Sequence, residues 1–155
     1  MSLRLPLYAS LLLLGLPAFA ATQKVDLDYH VRFLPQSNQA EVSITLEKGE
    51  RVRSLDFNLG EDGRFSDFQA DGQWSQEVAG RGKWQPGEGK SVLRYRVLID
   101  SERQPGRYDA RMTDDWALFR GDDLIPAAKL DQQNKTELVA RLQFELPKGW
   151  KSVET

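Results

Sequence analysis

The feature that most constrains this chain is a period of two in its apolar residues, repeated in segment after segment beyond the first twenty positions. Val25, Leu27, Tyr29, Val31 and Phe33 alternate with Asp26, Asp28, His30 and Arg32. Successive side chains of a strand point to opposite faces, so this spelling predicts a strand with one face buried and one face wet. Pro35-Gln36-Ser37-Asn38 has the chemistry of a turn, and Ala40, Val42, Ile44 and Leu46 then alternate with Glu41, Ser43, Thr45 and Glu47. The two runs read as a hairpin.

The same rhythm returns at Leu55-Phe57-Leu59, at Leu93-Tyr95-Val97-Ile99 and at Leu138-Ala140-Leu142-Phe144-Leu146, with breaks at Lys48-Gly49-Glu50, Gly60-Glu61-Asp62-Gly63 and Pro147-Lys148-Gly149. Between Phe65 and Lys90 the pattern is interrupted by Asp71-Gly72, Gly80-Arg81-Gly82 and Pro86-Gly87-Glu88-Gly89, which suits short strands joined by tight turns. No segment here has the three-and-four spacing of a capped amphipathic helix. The expected fold class is therefore all-β, an antiparallel β-sandwich.

The first twenty residues obey a different rule. Arg4 is followed by an apolar run from Leu5 to Leu16 and then by Pro17-Ala18-Phe19-Ala20-Ala21, the layout of a cleavable secretory signal peptide with Ala18-x-Ala20 as its cleavage pattern. The run is short for a bilayer-spanning helix, and Gly15 and Pro17 interrupt it. The expected organisation is a signal peptide over 1–20 and a β-sandwich domain over 21–155, placing the protein in the periplasm or outside the cell, with no membrane span after cleavage. The chain contains no cysteine, so no disulfide can support the domain and no thiolate can bind metal or attack a substrate. An exported domain built this way suits a bacterial periplasm. The formal net charge is −2, which argues against nucleic acid as a partner.

An inventory of chemistry excludes more than it assigns. His30 is the single histidine, so no paired-histidine zinc motif exists within the chain. A Ser-His-Asp triad would need that same residue, and no Gly-x-Ser-x-Gly elbow is present. Asp114-Asp115 and Asp122-Asp123 flank a short apolar run; they read either as turn residues or as carboxylates for a glycosidase or a calcium loop. Trp74, Trp84, Trp116 and Trp150, with Tyr95 and Tyr108, read either as core aromatics or as a platform for a sugar or peptide. Asn134-Lys135-Thr136 implies a surface turn.

The order of these features carries a resemblance. Tyr29-His30-Val31-Arg32-Phe33 with its hairpin mate, the strand Leu93-Arg94-Tyr95-Arg96-Val97, the segment Asp115-Trp116-Ala117-Leu118-Phe119-Arg120-Gly121-Asp122-Asp123-Leu124, and the close Leu146-Pro147-Lys148-Gly149-Trp150 resemble the N-terminal β domain of the glycyl aminopeptidase family of zinc metallopeptidases. The resemblance implies that the His-Glu-x-x-His zinc helix lies beyond Thr155, that the chain is the N-terminal part of a longer protein, and that this part is not itself an enzyme and holds no cofactor, catalytic residue or metal ligand. Its implied role is to support a C-terminal catalytic domain of the same polypeptide and to line its substrate cleft. Trp116, Leu118, Phe119 and Trp150 are then the expected domain or ligand contacts, because exposed apolar groups mark missing partners. The alternative is a freestanding periplasmic module that binds peptide or glycan.

Overall fold

A computed structural model describes residues 22–60 and 63–154; the expected signal peptide lies outside the described residues. The long alternating runs form the strands they predict. Strand β1 (Gln23–Leu34) turns through a 3-10 turn at Pro35–Ser37 into β2 (Gln39–Leu46), and Asn38 closes the turn with φ 52°. Asparagine tolerates this left-handed conformation better than most residues. The hairpin register runs from Leu27 opposite Leu46 to Leu34 opposite Gln39, which puts Leu27, Val31 and Phe33 on the same face as Ala40, Val42, Ile44 and Leu46.

Strands β3 (Val52–Asn58), β4 (Phe65–Ala70), β5 (Gln73–Ser75), β6 (Arg81–Gln85) and β7 (Ser91–Leu98) follow. A hairpin of β8 (Ser101–Gln104) and β9 (Arg107–Met112), the two-residue strand β10 (Ala117–Leu118), a short helix α1 (Gly121–Leu124), β11 (Ala128–Gln132) and β12 (Thr136–Glu145) complete the chain. One sheet has the order β12-β1-β2-β7-β4 and another β11-β3-β6-β5; β10-β9-β8 forms a small third sheet. The fold is all-β, as the periodicity requires. Pairing is antiparallel everywhere except between β1 and β12, which run parallel from Gln23 opposite Thr136 to Arg32 opposite Glu145. The first and last long runs look alike in sequence, and nothing local to either one encodes that they become neighbours.

The core lies between the two larger sheets. Val31, Val42, Ile44, Leu93 and Val97 from one meet Leu55, Phe57 and Trp84 from the other, all of them buried. Trp84 is wholly enclosed, and its indole N–H donates to the carbonyl of Asp71 at 2.8 Å, so the one polar atom of the ring is satisfied. Trp74 crosses the gap between sheets, stacking on Phe68 of β4 with ring centres 4.3 Å apart. Its ring lies over Gly82, where a Cβ would overlap it.

The broken rhythm around Phe65 has a specific cause. Ser66 lies opposite Arg96 and Gln69 opposite Arg94, three steps on β4 against two on β7, with Asp67 at φ 55° inside the bulge. One extra residue reverses the alternation. Phe65 therefore packs on Tyr95 before the bulge and Phe68 packs on the same ring after it.

Replacing Trp84 with alanine is expected to lower unfolding free energy by about 3–5 kcal/mol, through lost burial and the cavity left behind. Chemical denaturation of both proteins measures it, and a loss below about 1 kcal/mol would mean that Trp84 does not anchor the sheet interface.

Candidate functional site

Two grooves stand out, one apolar and one charged. The apolar groove starts from Phe33 near the end of β1. Three rings surround it, with centres 5.5 Å away for Phe119, 5.8 Å for Phe144 and 5.3 Å for Trp150. Trp150 is pinned by its indole N–H, which donates to the carbonyl of Asp114 at 2.8 Å. This bond joins the segment after β12 to the turn between β9 and β10.

Above that floor is a cavity of about 640 Å³ walled by β12, the 115–121 segment and residues 149–154. Trp116, Leu118, Phe119 and Trp150, the four contact residues expected from sequence, all line it. They divide into two pairs. Phe119 and Trp150 are half-buried against Phe33, whereas Trp116 and Leu118 are 47 % and 66 % exposed. Leu142 and Val153 also line the cavity and are exposed, and the sequence reading did not single them out. The phase of Leu142 in β12 assigns it to an apolar face; because β12 is an edge strand, that face is only partly covered.

Two of the four acidic residues near this groove pair with arginines, and the other two sit in a turn. Asp123 is buried, accepts the backbone N–H of Arg120 at 2.7 Å and pairs with the Arg64 guanidinium at 2.8 Å. Asp122 pairs with Arg120 at 2.9 Å. Asp114 and Asp115 sit in the exposed turn closed by the Thr113 N–H and the Trp116 carbonyl. Asp114-Asp115 thus matches the turn reading, whereas Asp122-Asp123 lies in the first turn of helix α1, where the Asp123 carboxylate caps the Arg120 N–H instead of closing a strand turn. Among the described residues no group of three or more His, Asp or Glu side chains could hold a metal ion.

The aromatic residues do not form a common platform. Trp84 and Tyr95 are core residues, and the Tyr95 hydroxyl donates to the carbonyl of Leu124 at 2.8 Å. Burial pushes that phenol well above its usual range. Trp74 is stacked within the sandwich, and Tyr108 lies under the guanidinium of Arg111. Trp116 is the one tryptophan among the described residues with a largely exposed ring. Lys135, at φ 61°, forms the turn between β11 and β12, as the Asn134-Lys135-Thr136 sequence implied.

No protein-family model matches this chain, and no curated protein matches it. The grooves must be read on their own chemistry.

The charged groove lies on the outer face of the five-stranded sheet. It has a volume of about 580 Å³, and its lining includes His30, Arg32, Glu41, Ser43, Gln69 and Arg94. Along one row, Arg32 and Arg96 both bind Glu41, and Arg96 also lies 3.7 Å from Asp67; from the neighbouring row, His30 Nε2 lies 3.6 Å from Glu145. Hydrogen bonding from Arg32, more than from Arg96, holds the Glu41 carboxyl below its ordinary value of 4.5.

Because the folded value is the lower one, Glu41 contributes stability that is present above pH 4.5 and disappears as pH falls through the folded value. Glu41→Gln should therefore be less stable than the parent near neutrality, with the gap closing in acid. Parallel denaturation curves between about pH 7 and pH 2 test this, the window bracketing an ordinary carboxylate and a lowered one. A gap that stays constant would mean that the pairing of Glu41 with Arg32 and Arg96 does not link stability to pH.

Proposed function

We propose that this chain is a noncatalytic β-sandwich domain of an exported metallopeptidase-like protein, and that its apolar groove is the face on which the catalytic domain of the same polypeptide packs. The observation that carries this reading is the convergence of Trp116, Leu118, Phe119 and Trp150 on one groove, with Leu118 and Trp116 left open to water. Isolated apolar residues on a surface are ordinary, but a contiguous patch with a preformed aromatic floor is a surface suited to a partner.

Geometry favours a covalent partner. Residues 149–154 form one wall of the groove, so a domain tethered through this segment would meet the patch at high effective concentration. The groove face offers packing surface, and its nearby carboxylates are engaged with arginines or held in turns, which suits a supporting role. The signal-peptide reading adds export, and the periplasm is the proposed location. A freestanding peptide- or glycan-binding module on stacked tryptophans is less favoured, because Trp84 is enclosed and Trp74 is stacked inside the sandwich.

The test is the gene beyond codon 155 together with amide exchange in the protein it encodes. A downstream His-Glu-x-x-His is expected, with slow exchange around 116–119 and 142–146 in the full polypeptide. Leu118→Asp should speed that exchange and weaken domain docking by about 1.5–3 kcal/mol, the burial value of a leucine side chain. A stop codon after Thr155, or exchange unchanged by Leu118→Asp, would defeat the reading.

A further inference from the structure

The outer face of the five-stranded sheet contains two adjacent rows of polar side chains with opposite character. In the first, arginines and carboxylates satisfy one another, as in Arg32–Glu41–Arg96. The second is defined by register: His30 lies opposite Ser43, Ser43 opposite Arg94, and Arg94 opposite Gln69. Three of these four side chains, Ser43, Arg94 and Gln69, make no hydrogen bond or ion pair among the described residues, while all four line the charged groove. Each arginine of the first row is neutralised by a neighbour, and Arg94 has no such neighbour among the described residues.

The bulge in β4 builds this arrangement. Without the extra residue, Phe68 would stand opposite Arg94 on the outer face; with it, Gln69 takes that place and Phe68 turns toward Trp74 while still lining one side of the groove. Bulges commonly re-aim side chains at binding surfaces. The consequence is an arginine flanked by a hydroxyl on one strand and an amide on the other, with an aromatic side chain close by.

We propose that this second row is a binding site for an acidic oligosaccharide, with Arg94 taking a sugar carboxylate and Ser43, Gln69 and His30 taking hydroxyls. The guanidinium presents a fork of N–H donors that matches a carboxylate. A serine hydroxyl and a glutamine amide each donate and accept, which is what a sugar hydroxyl requires. Four strands about 4.8 Å apart spread these groups over about 14 Å, the reach of a short saccharide rather than of a single small ion. The row lies on a different sheet face from the Phe33 groove, so this site stands or falls independently of domain docking.

The experiment is a titration of the isotope-labelled exported protein, followed by amide shifts, with trigalacturonate, neutral maltotriose and N-acetylglycine as probes. Trigalacturonate should move the amides of residues 43, 69 and 94 and bind more tightly than either other probe. Arg94→Ala should weaken it by about tenfold or more, the usual effect of losing a charge-assisted hydrogen bond, and Arg94→Lys should restore part of the loss. Arg141→Ala, which breaks pairs with Asp26 and Asp28 outside the groove, should leave binding unchanged. Unchanged thermal unfolding of Arg94→Ala will separate lost binding from lost structure. Equal binding of maltotriose would remove the carboxylate from the proposal, and equal binding of N-acetylglycine would reduce the site to a simple anion contact. Undiminished binding by a folded Arg94→Ala protein, or no shift at the three residues, would overturn it.

Discussion

Everything in this domain depends on two sheets covering one another's apolar faces. The chain has no cysteine, so hydrophobic burial without covalent support must offset the ordering of the backbone. The alternating runs of β1, β2 and β7 supply one continuous apolar surface, and Leu55, Phe57 and Trp84 supply the opposing one. Trp84 fills the space between them while its N–H is satisfied by the Asp71 carbonyl. Stacking of Trp74 on Phe68 then fixes one sheet relative to the other.

That closed core explains where open surface remains. The edge strand β12 pairs with β1 alone within its sheet, and its apolar face continues past the cover that β10 and the segment after β12 provide. Leu142, Leu118 and Trp116 are exposed there because no further layer among the described residues covers them. The aromatic cluster on Phe33 shapes the groove and leaves its outer wall unfilled. On the opposite side of the sheet, the same strands present their wet faces, where the ion pairs around Glu41 form one row and the row through Arg94 stays open.

Long elements were legible in the sequence because period two extends over enough residues to be unambiguous. The short helix α1 was not, since four residues cannot show helical spacing, and its local stability comes from Asp123 binding the Arg120 N–H and Arg64. Nor was β4, because the bulge at Asp67 reverses its alternation halfway along. Among the groove residues, Trp116, Leu118, Phe119 and Trp150 were named only through the family resemblance carried by the 115–124 segment and the Pro-x-Gly-Trp close. Leu142 was hidden as one more inward-phase residue of a strand, and Phe33 as an ordinary core position.

The amino-acid order by itself determined the all-β class, the β1–β2 hairpin, the turn positions and the absence of any thiolate or paired-histidine chemistry, because these follow from alternation, local turn preference and residue inventory. Only the tertiary structure decided that β12 returns parallel to β1, that Trp84 lies inside while Trp116 lies outside, and that Arg94 faces Ser43 and Gln69 with no charge partner among the described residues. Those outcomes depend on contacts between residues far apart in the chain. Period two specifies that a strand has two faces, and the neighbours it acquires decide what each face meets.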